Sequence, residues 1–381
     1  MKKGTKILMA LMKFDIGGAE THVVELSKEL KRRGFEIVIA SNGGAYEKEV
    51  AESGIKHYNV PLQNKNPLNV LKAYKSLAKI IKDEKIDIVH SHARIPSFIL
   101  GKLKHKLNFP FITSAHWVFT TKYGLKYITD WGEKTVAVSE DIKKYLLDNY
   151  KLKEENIFIT INGIDLNKFS AHTDCEDIKR EFNISHEDFC VVAVSRMDKD
   201  RSLASKQLIS IAPKLLDIIP NLKIVVVGGG NDEEEARMLA EEANKKCGKP
   251  IVSLAGARTD INKFVACADL FVGVSRAALE AMSAGKNTIV SGNEGFIGLF
   301  DESKISVGID TNFCCRGCID SSEELIFEDI INYYNKPMED KEKMSEYCRR
   351  VVLENYSVEK MTDIYQEAYE SLIEDRNEVK V

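Results

Sequence analysis

The residues best suited to chemistry are charged groups and glycines placed where short apolar runs end. Arg196 closes one such run, and Arg201 follows five positions later in Arg196-Met197-Asp198-Lys199-Asp200-Arg201. Two guanidinium groups at that edge can clamp a diphosphate and stabilise it as a leaving group. The competing reading pairs them with Asp198 and Asp200 on the surface. Glu280 lies in a helical pattern that starts just after another apolar run, where a carboxylate can accept hydrogen bonds from vicinal ribose hydroxyls or simply face solvent. His116 follows Thr113-Ser114-Ala115, and His90 and His92 flank Ser91, both at strand ends that would expose the rings. His116 is the single histidine of the eight taken as a candidate. Gly17 and Gly18 sit between the first apolar run and the first helical pattern, where a backbone can approach a diphosphate or a sugar hydroxyl. A tight turn that needs glycine for shape alone is the alternative.

These groups need strands and helices to hold them. Apolar runs at Lys6–Met12, Glu36–Ser41, His57–Val60, Ile86–Ser91, Phe109–Ser114, Thr135–Ser139 and Ile157–Thr160 alternate with helical patterns, the clearest from Gly18 to Arg33. The alternation resumes near Phe189, with strands expected at Cys190–Ser195, Leu222–Val227, Ile251–Leu254, Leu270–Val274 and Thr288–Ser291. Such alternation predicts an α/β protein of two doubly wound, Rossmann-like domains, with ligands collecting outside the carboxyl ends of the strands in a cleft across which the domains face. The expected boundaries are 1–168 for the first domain, 169–355 for the second, and 356–381 for a final helix packing back on the first. Gly228-Gly229-Gly230 follows a strand but continues into Asn231-Asp232-Glu233 rather than GxGxxG, which disfavours a dinucleotide dehydrogenase.

With 381 residues, 44% apolar and 29% charged, the chain has the composition of a globular protein, and no stretch is long enough to cross a bilayer. Its start is interrupted by Lys13 and Asp15 and does not read as an export signal, so a cytoplasmic location with free thiols is expected. Cys314-Cys315-Arg316-Gly317-Cys318 holds one CxxC, short of the four ligands a structural zinc needs, and reads as a plain loop. Residues 1–170 carry a net +9 and residues 171–381 a net −13. With the cationic segment Leu100–Leu107, the basic half suggests peripheral contact with an anionic membrane, a solvated lysine face being the alternative. No nucleic-acid partner is expected.

Taken in order, Gly17-Gly18-Ala19-Glu20, Ile88-Val89-His90-Ser91-His92, the His116 segment, Val136-Ala137-Val138-Ser139, Asn162-Gly163-Ile164-Asp165, Arg196 through Arg201 and Leu279-Glu280-Ala281-Met282 resemble the retaining glycosyltransferases of family 4, which have the GT-B fold. The resemblance covers most of the chain. It implies transfer of a sugar from a nucleotide diphosphate donor, UDP by default, to a glycan or lipid-linked acceptor, with no metal or other cofactor. By the same likeness Gly17 and Gly18 approach the donor, His116 lines the reacting centre, and Arg196 and Arg201 hold the diphosphate. Glu280 binds the ribose, Ser275 belongs to the same donor-binding segment, and backbone at Ala257 and Arg258 meets the base.

Two positions depart from the family pattern. Arg201 stands where lysine is usual, keeping the charge but not the geometry. Val272 stands eight residues before Glu280, where the family's Glu-x7-Glu signature has its first glutamate, and Glu294 is the expected substitute for that carboxylate. Two other readings share the fold: a hydrolysing nucleotide-sugar 2-epimerase, and a non-catalytic member that binds a nucleotide sugar or scaffolds a partner.

Overall fold

The computed structural model describes residues 3–378 except Tyr123, and Ile128 by its backbone alone. Two compact units divide the chain, one running to Gly163 and resuming at Val358, the other spanning Ile164–Ser357. The crossings therefore fall at 163/164 and 357/358 rather than at 168/169 and 355/356. Gly163 is packed so closely that a Cβ there would stand 2.8 Å from Met361 Cβ and 2.9 Å from Val358 Cα. Only glycine allows that approach.

The first unit is built on seven parallel strands: β1 (Lys6–Ala10), β2 (Glu36–Ser41), β3 (Lys56–Asn59), β4 (Ile88–Ser91), β5 (Phe111–Ala115), β6 (Lys134–Ala137) and β7 (Ile157–Ile159). Their spatial order is 3-2-1-4-5-6-7. The inner strands β1, β2, β4, β5 and β6 are buried on both faces, as a sheet covered by helices requires, whereas the edge strands β3 and β7 are largely half-buried or exposed. Helix Gly18–Arg32 lays Val23, Leu26 and Leu30 on the sheet. Beside it lies the terminal helix Val358–Glu378, whose stripe of Met361, Tyr365, Ala368, Tyr369 and Leu372 is fully buried in the same core as Ile7, Met9 and Ile112.

In the second unit β8 (Phe189–Val194), β9 (Leu222–Val227), β10 (Val252–Gly256), β11 (Leu270–Gly273), β12 (Thr288–Gly292) and β13 (Gly295–Leu299) lie in the order 10-9-8-11-12-13. All neighbours are parallel except β12 and β13, which form an antiparallel pair across the turn Asn293-Glu294. The sequence reading missed β13, because Gly-Phe-Ile-Gly-Leu carries two glycines and lacks the Val/Ile density of the other strands. Helix Glu233–Cys247 buries Ala236, Ala240 and Ala243 in the core, with Leu239 and Cys247 half-buried against it, and stops at Gly248 with φ +66°.

In each sheet the strand order reverses once near the middle, between β1 and β4 and between β8 and β11. Loops leaving the carboxyl ends of adjacent strands diverge there to opposite faces and open a crevice. Gly17, His92 and His116 lie beyond the ends of β1, β4 and β5; Arg196 and Ser275 lie beyond β8 and β11.

Candidate active site

In the first unit, imidazoles and phenols are joined by hydrogen bonds at the strand ends. His92 Nδ1 lies 3.1 Å from His116 Nε2, and His92 Nε2 lies 3.4 Å from the Met9 thioether. His90 bonds Tyr369 Oη through Nδ1 and Ser114 Oγ through Nε2, each at 2.8 Å. Ser114 continues to Tyr365 Oη at 3.0 Å, which in turn meets His22 Nε2 at 2.9 Å. The expectation that strand-end position exposes His90 and His92 is overturned: both are buried beneath the terminal helix, their rings 4.0 Å apart, and only His116 keeps partial exposure. Sequence separation hid this network, since Tyr365 and Tyr369 lie more than 200 residues from the histidines they meet.

Donor and acceptor counting fixes the tautomers. A thioether only accepts, so His92 donates from Nε2 and must accept at Nδ1. His116 therefore donates from Nε2, which leaves its Nδ1 as a lone-pair acceptor. Burial lowers the pKa of His116 to about 4 and holds those of His90 and His92 well below the ordinary imidazole value, the neighbouring histidines adding to the effect on His90 and His92. At neutral pH His116 is an uncharged hydrogen-bond acceptor and a weak base.

These buried neutral rings predict an acid sensitivity. Between pH 6.5 and 4.5 the unfolded chain takes up protons that the folded chain refuses, so stability is lost as pH falls through that window and is complete above it. The expected slope is about 1.4 kcal/mol per pH unit for each ring held neutral. Glu84, held down to about 2 by Tyr58 and Lys56, contributes stability that is complete above the ordinary carboxylate value and is lost only as pH falls below it. Urea titrations at pH 7.5 and 5.0 check this, and coincident midpoints would contradict it.

Gly17 is the N-cap of helix Gly18–Arg32, with φ −178°, a conformation open to any residue. A Cβ on Gly18 would meet nothing within 4 Å. Neither glycine is thus required by the turn's shape; the space above Gly18 is open. The Glu20 carboxylate lies against Gly17, which makes the turn better suited to a sugar hydroxyl than to a phosphate.

In the second unit the loop after β8 is carried on the glycines after β9. A Cβ on Gly228 or Gly230 would collide with the Ser195 or Met197 carbonyl. Met197 N donates to Gly229 O at 3.1 Å, and Asp232 N donates to Met197 O at 2.7 Å. Arg196 is exposed at the tip and pairs with Asp198 at 2.6 Å; Arg201 lies 3.9 Å from Asp200. The surface-pair reading fits these contacts, and both arginines are exposed.

Helix Ser275–Ser283 starts one residue after β11 ends, with Val274 the only link. Ser275 has φ +52°, and Asn312, Phe313 and Cys315 are also left-handed, with Ser275 N donating to Phe313 O at 2.7 Å. Such strain concentrates at functional sites. Glu280 is buried and accepts from Arg276 Nε at 2.8 Å. Val272 is not a substituted site residue. It sits inside β11 between Ala193 and Ile289, 1% exposed, so a carboxylate there would be buried in the sheet; the connection that would carry a first glutamate is too short. Glu294, in the β12–β13 turn, pairs with Arg316 at 3.4 Å, and charge from both Glu294 and Arg201 reaches Cys314. The Cys314–Cys318 loop read as plain is therefore part of this rim.

Arg258 is held by Glu181 and Asp260 and stacks over Phe264, while Ala257 is exposed after β10. Of the apolar residues of the cationic segment, Leu100 and Leu103 are fully buried and Leu107 is half-buried against the same core, so its exposed residues are Lys102, His105 and Lys106. Among the described residues no helix is long and apolar enough to cross a membrane, and no group of three His, Cys, Asp or Glu side chains is placed to hold a metal ion.

Residues 16–168 match the family model for Glycosyltransferase Family 4, and residues 174–351 that for Glycosyl transferases group 1. An uncharacterized glycosyltransferase of Methanocaldococcus jannaschii is 33% identical over 172 residues, which is 42% of this chain and 47% of that protein. The UDP-Gal:alpha-D-GlcNAc-diphosphoundecaprenol alpha-1,3-galactosyltransferase of Escherichia coli is 24% identical over 84% of this chain and 85% of its own length. The crystal structure of a glycosyltransferase from Rickettsia africae ESF-5 superposes with a TM-score of 0.76 at 21% identity, covering 98% of this chain and 99% of that one. The two matched models in tandem and the two sheets with their switch-point loops agree: the chain belongs to the family 4 glycosyltransferases of the GT-B fold and is a glycosyltransferase that uses a nucleotide-sugar donor.

Proposed function

We propose that the chain transfers a hexosyl or N-acetylhexosaminyl group from a UDP-sugar to a glycan or lipid-linked acceptor, with retention of anomeric configuration. The observation that carries this reading is the placement, on the two sides of the β8/β11 switch point, of an exposed cation, Arg196, beyond β8 and a buried carboxylate, Glu280, on the helix beyond β11. Arg196 and Arg201 neutralise the diphosphate as the bond from the anomeric carbon to the phosphate oxygen breaks. Glu280 accepts from the ribose hydroxyls, backbone at Ala257 and Arg258 meets the uracil edge, and Ser275 and Glu294 face the donor from the rim. No protein nucleophile is used. The acceptor oxygen bonds to the anomeric carbon on the face the phosphate leaves, and its proton passes to the departing phosphate oxygen.

His116, neutral with its lone pair on Nδ1, accepts a sugar hydroxyl and orients it rather than removing its proton, a task for which so weak a base is mismatched. Gly17 and the open space over Gly18 admit the sugar backbone-close. The E. coli relative, which by its name uses UDP-Gal and a diphosphoundecaprenol-linked sugar, supports UDP and a lipid-linked acceptor. Membrane contact in that case is electrostatic, through Lys102 and Lys106, and no metal is required.

Product analysis tests the reading. With a UDP-sugar and a panel of polyprenyl-diphosphate and oligosaccharide acceptors, a new glycoside with the donor's anomeric configuration is expected by NMR. An inverted glycoside would remove the mechanism. Free UDP with an epimerised sugar and no glycoside would replace transfer by hydrolysing epimerisation.

A further inference from the structure

Arg276 has an unusual electrostatic position. It is the second residue of the nine-residue helix Ser275–Ser283, directly beyond β11, and is 6% exposed. Its Nε donates to Glu280 Oε1 at 2.8 Å, one turn on along the same helix. Its Nη1 and Nη2 are buried and have no hydrogen-bond partner among the described residues. A guanidinium is a five-donor fork that cannot shed its charge, and burying it with only one donor engaged is costly. A single carboxylate on Nε leaves the two-pronged end of the fork, the end that matches a planar or tetrahedral oxyanion, buried without a hydrogen-bond partner.

Two features around it point the same way. The helix start adds first-turn backbone N–H groups and the positive end of the helix dipole. The residue before it, Ser275, is held left-handed by the packed loop after Asn312, so the entry to the helix is set by tertiary contacts and does not relax to close over the fork. Glu280, the carboxylate expected to meet the ribose, is thereby tied to a buried cation that stands one turn earlier on the same helix.

We propose that Arg276 is an anion-binding residue of the donor site: its Nη1 and Nη2 take an oxyanion of the nucleotide sugar in a bidentate contact, while Nε holds Glu280 in place for the ribose. This rests on the nucleotide-sugar reading of the second unit. The oxyanion is either the diphosphate or a carboxylate carried by the sugar, as in a uronic acid.

Titration calorimetry with UMP, UDP, UDP-glucose and UDP-glucuronic acid on the wild type, Arg276→Lys and Arg276→Gln tests it. Losing the Nε contact to Glu280 weakens all four ligands alike through the ribose, so the loss seen with UMP is the baseline. If the diphosphate is the ligand, UDP and both UDP-sugars weaken at least about 10-fold more than UMP in the Gln variant, and less in the Lys variant, which keeps the charge without the fork. If a sugar carboxylate is the ligand, only UDP-glucuronic acid weakens beyond the UMP baseline. Equal weakening of all four ligands would overturn the proposal and leave Arg276 a support for Glu280 alone, and unchanged binding of all four would overturn it as well. Should neither variant fold, a crystal structure of the wild type with UDP or UDP-glucuronic acid decides: oxyanion oxygens at about 3 Å from both Nη atoms are expected, and a distant anion overturns it. A wild type that binds none of the four removes the UDP-donor reading itself, and this proposal with it.

Discussion

Arg196→Ala is expected to lower kcat/KM for sugar transfer by about 10²–10³-fold, the usual cost of removing one group that stabilises charge developing in the transition state. The folded state should hardly notice. Arg196 is more than half exposed and pairs with Asp198, a contact of the surface kind that contributes little to stability. The same substitution thus separates chemistry from folding. Arg196→Lys should recover part of the loss, since the charge returns without the bidentate fork. Kinetics and urea unfolding on the same preparations check both halves. A variant with unchanged kcat/KM would take Arg196 out of the diphosphate site.

Tyr369→Ala is expected to destabilise the first unit by about 3–5 kcal/mol, the range for truncating a buried aromatic side chain. Tyr369 is 0% exposed, packs in the core shared by Met9 and Ile112, and bonds His90 at 2.8 Å. Tyr369→Phe isolates the hydrogen bond, because it keeps the ring and strands His90 Nδ1 without a partner, at about 1–3 kcal/mol. Both values can be read from urea midpoints. Since His90 bonds Ser114, and its ring lies against that of His92, which bonds His116, both variants should also disturb the orientation of His116. A loss below 1 kcal/mol in the alanine variant would mean that the terminal helix is an accessory rather than part of the first unit's core.

Local pattern carried much of the architecture. Leu-Lys-Ile-Val-Val-Val at 222–227 and Glu-Ile-Val-Ile-Ala-Ser at 36–41 are strands with the bounds their composition suggests, because β-branched runs between turns have few alternatives. The helix expected at Gly18–Arg33 ends at Arg32, its stop marked by Gly34 with φ +95°. Arg196 and Glu280 were legible as a strand-end group and a group on the helix after a strand, since period and punctuation place them, whereas Ser275 came only with the family resemblance.

What escaped was set by distance along the chain or by loop length. No spacing rule joins His22 to Tyr365 or His90 to Tyr369, and no pattern announces that a strand-end histidine will be covered by the last helix. Val272 was read against a signature whose intervening loop is absent here, and only the one-residue link at Val274 exposes the difference. Nothing in the sequence marks Arg276; its burial and its unengaged fork are set by tertiary packing.

The central claim, that the second unit holds a nucleoside diphosphate between Arg196 and Glu280, is tested most directly by thermal shift of the purified protein with UDP, GDP and ADP. At a hundredfold excess over Kd a ligand specific to the folded state contributes about 2.7 kcal/mol, roughly 5–10 °C for a unit of this size. The account predicts such a rise with one nucleotide, UDP foremost, and its loss in Arg196→Ala and Glu280→Ala. No rise with any of the three, or an equal rise in both variants, would contradict it.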